Sequence, residues 1–474
     1  MRTPRYEQVA EQIVSLIHCG ALKEGEKIPS IRQLSHELSV SINTVKEAYW
    51  RLEDRNYLMA VPQSGYYVKS RFNDKADPSV QDLKQLNPRD ISFCRIYGLF
   101  QEQATDKSIS SLAISGINPE VWPKKRFGRY LMEAACSSDL LAAEYLLPPG
   151  YPMLREQIAR LGLSAGLSLS PDEIIITNGC QEAIFLSLMT LCNPGDTVAL
   201  ESPMYFNLLQ LLQTLNLKVV EIPSTPEEGI SLDTLKYVIE THPVKAVFSI
   251  SNFNNPSGFS MPSWKKKEMA WLLEQKQIPL IEDDIYGDLY FHRRPSTAKS
   301  YEKAGNVIYC SSFSKTLSPG LRIGWIAPGR HFESVLKMKM LLNISTSSVD
   351  QMAAARFLTK GGYERHMRKV RGQLKKNIAL MREEILRQFP NETRVTNPSG
   401  GSLLWVELPK HIDTEQVYQY ALARDILIAP GRLFSLQNRF NNCMRLSASV
   451  WNPKVANAIQ TLGRLCSKLS NQKS

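Results

Sequence analysis

From about residue 109 onward, short apolar runs alternate with stretches of helical spacing, and this alternation constrains the fold more than any other feature of the sequence. Apolar residues at consecutive positions predict strands that are buried on both faces of a sheet. Strands that alternate with helices favour an α/β domain with a mostly parallel central sheet. The runs are Ile174–Ile176, Thr197–Leu200, Ala246–Ile250, Pro279–Ile281 and Val307–Tyr309.

The length and composition predict a folded protein of at least two domains. The chain has 474 residues, whereas single cores stop growing at about 250–300 residues. Its eight cysteines include no Cys-x-x-Cys pair, which argues against a zinc site and a disulfide framework. No apolar run is long enough for a membrane helix, and the first residues lack the apolar segment of a secretory signal. We therefore expect a cytoplasmic protein with reduced thiols and no membrane association.

Residues 1–70 have the pattern of a small separate unit. Helical spacing predicts three helices, with Thr3, Ser30 and Ser41 as their N-caps and Gly20 ending the first. Gln33 follows Ser30 by three residues, as in a capping box. Two apolar runs then flank a turn at 62–65, which predicts a hairpin. Three helices and a hairpin describe a winged helix-turn-helix. We interpret 71–108 as a linker with a short helix at 93–107, and 109–474 as the large domain.

Three segments of the N-terminal unit carry a family pattern: Ile28–Leu34, Val40–Tyr49 and Leu52-Glu53. With them the unit resembles the GntR-family winged helix. It implies binding of double-stranded operator DNA, because the first turn of the third helix reaches base edges in the major groove. Ile42 stands where the family often has Arg, which argues against a guanine contact there. An alternative is a winged helix used only for protein contacts. The implied DNA-binding residues are Arg32, Ser41, Asn43, Thr44, Lys46 and Gly65.

The large domain carries a series of motifs that mostly follow predicted strands or open helices. In open α/β sheets, ligands bind beyond the carboxyl ends of the strands. The motifs are Tyr145–Arg155, Thr177–Ala183, Ser202–Tyr205, Asn254–Gly258, Asp283–Tyr286, Ser311–Thr316, Arg322–Gly324 and Arg445–Ser447. With these motifs the chain resembles a fold-type I, pyridoxal-phosphate (PLP) aminotransferase over roughly 110–474, which implies a small α+β subdomain as well. Joined to the winged helix, it resembles a MocR-type transcriptional regulator.

The resemblance implies a role for each residue around the cofactor. Lys315 would form the Schiff base, for which its amine must lose a proton. Asp283 would face the pyridine nitrogen and keep it protonated. Asn255 and Tyr286 would hydrogen-bond the phenolic oxygen, and Tyr205 would stack on the ring. The phosphate would lie against the helix N-terminus and the polar residues that follow the last strand; these are Gly179, Cys180, Gln181, Ser312, Ser314 and Arg322.

Further residues bear on the assembly and the effector. Tyr145 resembles the family tyrosine that reaches the phosphate of a partner subunit, which implies a homodimer. Arg445 resembles the arginine that binds a substrate carboxylate through its planar fork. Gly116 and Asn118 weakly resemble the substrate-entry segment. The effector would thus be an amino acid or an amine.

Three functions remain open from the sequence. The first is a DNA-binding regulator that senses an amino compound through aldimine formation on PLP. The second is an active PLP-dependent aminotransferase with an accessory winged helix. The third is a sensor of PLP itself, which would not need Arg445.

Charge does not decide among these functions, because the net charge of +11 is not concentrated in the winged helix. Residues 1–72 hold ten basic and eight acidic residues. The basic stretch 364–376 is either a solvated helix face or a secondary contact to the DNA backbone.

Overall fold

The computed structural model describes residues 4–18, 21–23, 25–55, 57–61, 64–69, 86–91, 98, 109–136, 144–226, 228–437 and 439–471. The predicted cap at Thr3 and helix end at Gly20 lie outside the described residues. So does the predicted short helix at 93–107, apart from Gly98.

The N-terminal unit is a three-helix bundle with a two-stranded antiparallel hairpin, as the sequence predicts. Its core is formed by the apolar stripes of the helices, which include Val9, Ile13, Val45 and Leu52. The elements are α1 (Arg5–His18), α2 (Ile31–Glu37), α3 (Ile42–Asp54), β1 (Leu58–Val61) and β2 (Gly65–Val68).

Serine caps begin both helices of the helix-turn-helix. The Ser30 hydroxyl accepts a hydrogen bond from the Gln33 amide at 3.2 Å, and the Ser41 hydroxyl accepts one from the Thr44 amide at 3.1 Å. The predicted capping box is wrong in its second half. The Gln33 side chain donates to Glu37 one turn further along, at 2.9 Å, instead of returning to the Ser30 backbone.

An eight-stranded sheet organises the large domain, in the order β4-β11-β10-β9-β8-β5-β6-β7. The five strands predicted from apolar runs are all present as β4, β5, β8, β9 and β10. The registers give six strands one direction, whereas β7 and β11 run antiparallel to their neighbours, so the sheet is mixed. Its strands are β4 (Ile175–Thr177), β5 (Thr197–Ser202), β6 (Lys218–Thr225), β7 (Gly229–Ile230), β8 (Val244–Ser249), β9 (Leu280–Asp283), β10 (Val307–Ser312) and β11 (Gly324–Ala327).

Helices cover the sheet and form two apolar cores with it. Residues 86–91, which the linker prediction includes, lie against the sheet; the backbone amides and carbonyls of Arg89 and Val219 pair at 2.9 and 3.0 Å. The helices of this part are α4 (Lys124–Ala135), α5 (Pro152–Gly162), α6 (Cys180–Leu191), α7 (Phe206–Thr214), α8 (Leu232–Thr241), α9 (Ser263–Gln275), α10 (Phe332–Asn343), α11 (Ser348–Thr359) and α12 (Gly362–Gln388).

A smaller α+β subdomain follows and has a separate core. It contains a four-stranded antiparallel sheet in the order β12-β13-β16-β15, and a pair in which β14 lies parallel to β3. Among the described residues, no helix combines the length and apolar composition needed to cross a bilayer. The elements are β3 (Ser110-Ser111), β12 (Arg394-Val395), β13 (Leu403–Glu407), α13 (Thr414–Leu422), β14 (Ile426-Leu427), β15 (Ala429-Pro430), β16 (Cys443–Ser447) and α14 (Pro453–Asn471).

Candidate cofactor site and DNA-binding surface

The carboxyl ends of the co-directional strands bring the predicted site residues to one edge of the large sheet. Asp283 ends β9, Lys315 lies in the helical turn after β10, and Asn255 lies in the loop after β8. Gly179 links β4 to α6. Strands β8, β9 and β10 are adjacent in the sheet, and β11 alone separates β10 from β4. Their carboxyl ends therefore form one cleft, as expected for a ligand site in an open α/β sheet.

Lys315 points its amine into this cleft. Its Nζ donates a hydrogen bond to the carbonyl of Ser115 at 2.7 Å. The removal of water from around the amine, with a smaller contribution from the Arg445 guanidinium, lowers the pKa of Lys315 to about 8. At neutral pH a fraction of roughly 10% of this side chain is therefore the neutral, nucleophilic amine, against about 0.03% for an ordinary lysine.

Asp283 is buried, and two donors hold its carboxylate. Its Oδ1 accepts hydrogen bonds from the Ile285 amide at 3.0 Å and from the Cys180 thiol at 3.3 Å. Burial raises the pKa of Asp283 to about 6. Burial also raises the pKa of the Cys180 thiol, with Asp283 as the next cause, so this cysteine acts as a neutral donor. The sequence had placed Cys180 only at the phosphate.

Asn255 and Tyr286 lie together, and Ser115 joins them. The Asn255 amide donates to the Tyr286 hydroxyl at 3.3 Å, and the hydroxyls of Tyr286 and Ser115 are 3.0 Å apart. Burial raises the pKa of Tyr286. Sequence reasoning missed Ser115, although it lies directly before Gly116 in the segment with the weak resemblance.

The N-terminus of α6 lies beside the Arg322 guanidinium. Gly179 precedes the helix at φ 84° and provides no side-chain cap. A Cβ there would lie 2.5 Å from Arg322 Nη2, so only glycine admits this approach of the guanidinium. Arg322 also donates to the Asn178 carbonyl at 2.9 Å and to the Ser314 hydroxyl at 3.4 Å.

The remaining residues predicted at the phosphate lie around this helix end. Ser312 accepts from the Ser314 amide at 3.2 Å, and Gln181 is exposed in the first turn of α6. Amide groups, hydroxyls and a guanidinium at a helix N-terminus form an anion site. With the amine of Lys315 and the carboxylate of Asp283 in one cleft, the donor set fits PLP.

Arg445 is buried beside a pair of aromatic rings whose centroids are 5.4 Å apart. Its guanidinium carbon lies 5.5 Å from the Phe206 ring centroid and 5.1 Å from that of Phe434. Nη1 donates to Asn255 Oδ1 at 2.7 Å, and Nη2 donates to the carbonyl of Ala113. Burial lowers its pKa, and its Nε has no hydrogen-bond partner. The fork is therefore held in place by one hydrogen bond from each of its two terminal nitrogens.

The other predicted residues differ in position. Tyr205 directly precedes α7, with its ring centroid 5.3 Å from that of Phe206, beside Arg445. Tyr145 is 75% exposed, and the single chain does not bring it to the cleft. The Gly116 amide donates to Ser449 at 3.3 Å, and Asn118 caps the helical turn Pro119–Val121.

A second residue that the sequence did not indicate is Glu201, which is buried in β5. Its Oε1 accepts from the Ile250 amide at 2.7 Å and from Asn254 at 2.9 Å, which holds the residue next to Asn255. Its Oε2 has no partner, and burial raises its pKa to about 8. A buried carboxyl has no sequence signal, because the pattern around it is simply that of a strand.

Most of the predicted DNA-binding residues are exposed on the winged helix. Thr44 is half-buried, and Ile42 is 52% exposed at the start of α3. Gly65 begins the second strand of the wing at φ 117°. Helix α3 thus offers its N-terminal turn to solvent while its opposite side packs in the core. The exposed side chains are Arg32, Ser41, Asn43 and Lys46.

Comparisons with known proteins agree with both halves of this arrangement. A family model described as "Bacterial regulatory proteins, gntR family" matches residues 5–68, and one described as "Aminotransferase class I and II" matches residues 132–462. The HTH-type transcriptional regulator YjiR of Escherichia coli (strain K12) is 38% identical over 94% of this chain and 95% of its own. The chain belongs to the MocR-type transcriptional regulators. A second member, YdcR of the same organism, is 35% identical over 97% of this chain and 98% of its own.

Solved structures of aminotransferases share the fold of the large domain. LysN, an alpha-aminoadipate aminotransferase of Thermus thermophilus complexed with N-(5'-phosphopyridoxyl)-L-leucine, has a TM-score of 0.72 and 28% identity. It covers 80% of this chain and 98% of its own. Kynurenine aminotransferase of Pyrococcus horikoshii, in complex with PMP, has a TM-score of 0.73 and 27% identity, and covers 83% and 99%. The fold-type I prediction is confirmed.

Proposed function

We propose that this regulator binds operator DNA through its winged helix and senses an amino acid or an amine at a PLP site in its large domain. One observation carries the proposal: a winged helix with both serine caps formed and a cleft that holds Lys315, Asp283 and Asn255 belong to the same chain. Such a regulator acts where the DNA is, which for a bacterial relative is the cytoplasm.

The side chains of the cleft divide the work of holding the cofactor. Bound PLP supplies an aldehyde that condenses reversibly with primary amines, and a ring that withdraws electrons. Lys315 provides the competing amine within the protein, at a pKa of about 8. Asp283 holds a proton at the pyridine nitrogen, and Asn255 and Tyr286 bind the phenolic oxygen. The N-terminus of α6, with Ser312, Ser314 and Arg322, binds the phosphate.

Arg445 gives the proposal its chemical class of effector. A guanidinium fork that is held against two aromatic rings suits a carboxylate, which it binds through two parallel hydrogen bonds. The fork lies near Lys315, because Arg445 Nη2 donates to the carbonyl of Ala113 and Lys315 Nζ donates to the carbonyl of Ser115, two residues further along. We therefore expect a compound with a primary amine and a nearby carboxylate. This also argues against a sensor of PLP alone, which has no use for the fork.

A homodimer completes the proposal. Helix α10 carries an exposed apolar run at its C-terminal end, and an apolar surface of this kind is typical of a protein interface. Tyr145 is exposed as well, and we assign it to the phosphate of the partner subunit. The run consists of Met340, Leu341, Leu342 and Ile344.

The second candidate function is a working aminotransferase, which the presence of Lys315, Asp283 and Arg445 favours. A sensor needs the same three side chains, so their presence does not separate the two.

The test of the regulator is DNA selection: the PLP-loaded protein selects duplexes from a random pool, and its affinity for the selected duplex is measured by gel shift against bulk DNA. We expect a preference of at least about 10³-fold at physiological salt. No preference over bulk DNA would reject the regulator.

A further inference from the structure

The winged helix contacts the large domain at the C-terminal end of α3. The Asp54 carboxylate accepts two hydrogen bonds from Ser263, from its amide at 3.0 Å and from its hydroxyl at 2.7 Å. Ser263 is the first residue of α9, whose preceding Pro262 offers no side-chain cap. Asp54 thus acts as the N-cap that α9 lacks, although it lies 209 positions before Ser263 in the chain. A second contact places the Arg293 guanidinium over the Trp50 ring at 5.4 Å.

From this contact a series of hydrogen bonds leads to the cofactor site. The hydroxyls of Ser263 and Ser296 are 3.2 Å apart. The Ser296 backbone carbonyl accepts a hydrogen bond from the side-chain amide of Asn252 at 3.1 Å. The same side-chain amide donates to Asp284 Oδ1 at 2.8 Å. The series ends at the carboxylate of Asp284. Asp284 is the chain neighbour of Asp283, whose carboxylate is assigned to the pyridine nitrogen.

Two further side chains connect the same points. Lys266, fully buried in the first turn of α9, donates to the Ser296 carbonyl at 2.8 Å and to Asn252 Oδ1 at 2.6 Å. Arg294 forms a buried ion pair with Asp284, and it adjoins Arg293, which stacks on Trp50. Both routes from the winged helix therefore converge on Asp284. Buried polar groups of this kind have discrete arrangements, because leaving any of them unpaired is costly.

The position of the contact on α3 leaves the DNA-binding end free. Asp54 is the last residue of α3, whereas Ser41 and Asn43 lie at its start. At a rise of about 1.5 Å per residue, the two ends are roughly 20 Å apart. The contact therefore sets the orientation of α3 without covering the surface that reads DNA.

We propose that Asp54 and Ser263 form a latch through which the state of the cofactor site changes the affinity of the winged helix for DNA. The proposal rests on the function proposed above, and it names the residues that couple the two sites. A change at Asp283 and Asp284 alters the partners of Asn252 and Ser296, and so the geometry in which Ser263 receives Asp54. By linkage, DNA binding alters the affinity for PLP by the same factor.

The experiment compares full-length proteins: wild type, Asp54→Ala, Ser263→Ala, the double variant of these two, and the control Glu11→Ala. Glu11 is an exposed acid on α1, so its variant reproduces the charge change within the winged helix. Affinity for the selected duplex is measured by fluorescence anisotropy for the PLP-free and the PLP-loaded form. PLP binding is measured by visible absorbance.

In wild type and in Glu11→Ala we expect PLP to change the DNA affinity by at least about 5-fold. In Asp54→Ala and in Ser263→Ala, the ratio of the DNA affinities with and without PLP falls toward one. PLP binding and the preference over bulk DNA remain. The effect of PLP on DNA affinity should be no smaller in the double variant than in either single variant, because both substitutions remove the same contact. If Asp54→Ala fails to fold, Ser263→Ala tests the latch from the other domain.

Latch variants that keep the wild-type ratio overturn the proposal. A wild-type protein that prefers the selected duplex but ignores PLP also overturns it, and leaves DNA binding intact. The proposed function fails by a different result, the loss of any preference over bulk DNA in wild type.

Discussion

The lowered pKa of Lys315 predicts how the rate of PLP attachment depends on pH. Burial brings this pKa from 10.5 down to about 8, so the reactive neutral amine accumulates from pH 8 upward instead of from pH 10.5. The rate of PLP attachment to the cofactor-free protein should therefore rise about tenfold per pH unit below pH 8 and level off above it. Stopped-flow absorbance measures this rate. Lys315→Ala should show no attachment, and a rate that still rises through pH 10 would contradict the assignment.

Arg445 supports a prediction about effector class. Arg445→Lys keeps the charge but loses the two-pronged fork. The concentration of an L-amino acid that half-shifts the PLP spectrum should rise about 10- to 100-fold, as expected for the loss of charge-assisted hydrogen bonds. Ethylamine, which has no carboxylate, is the control and should be unaffected. An equal loss for both compounds would show that Arg445 only supports the fold of the site.

Among single residues of the cofactor site, the sequence indicates mainly the side chains that belong to motifs. Lys315, Asp283 and Asn255 each follow an apolar strand, so their convergence is predictable from topology. Ser115 lies 200 positions from Lys315 and touches it through a backbone carbonyl, which carries no side-chain signal. Its contact depends on how the segment before Gly116 folds over the cleft.

Among the elements, the N-cap of α3 gives a prediction that separates stability from DNA contact. Ser41→Ala removes the hydrogen bond to the Thr44 amide and should cost α3 about 1 kcal/mol. Hydrogen exchange of the α3 amides in the full chain measures this cost. The matched variant Asn43→Ala leaves the cap in place and should weaken only DNA binding. Equal exchange in Ser41→Ala and wild type would show that the cap is not needed.

Elements with strong patterns are predictable, and those without them are not. The five apolar runs became strands because each is buried on both faces. Strand β11 (Gly324–Ala327) was not predicted; its first residue, Gly324, is also the last residue of the Arg322 motif. It runs antiparallel between β4 and β10, which makes the sheet mixed.

The assembly of the whole molecule gives a further prediction. Leu341 is 72% exposed in the apolar run of α10, and Leu341→Glu should weaken the proposed dimer and the retention of PLP. Leu386→Glu, at an exposed leucine of α12, is the matched control and should remain dimeric. Analytical ultracentrifugation distinguishes the two. A Leu341→Glu protein that sediments as the wild type does would place the interface elsewhere.

How the winged helix meets the large domain is beyond sequence reasoning. The cap that Asp54 provides to Ser263 joins two residues of ordinary patterns, one at the end of a helix and one after a proline. The boundaries 1–70, 71–108 and 109–474 remain predictions, and residues 86–91 already pack on the large sheet.

The most direct test of a regulator that senses an amino compound reads both sites at once. Amino acids and amines are titrated into the PLP-loaded protein bound to its labelled selected duplex, while visible absorbance and fluorescence anisotropy are recorded together. We predict that one class of compound with an amine and a carboxylate shifts both signals over the same concentration range, without release of an oxo acid. Conversion to pyridoxamine phosphate with oxo acid release, at unchanged anisotropy, would contradict the account and identify a working aminotransferase.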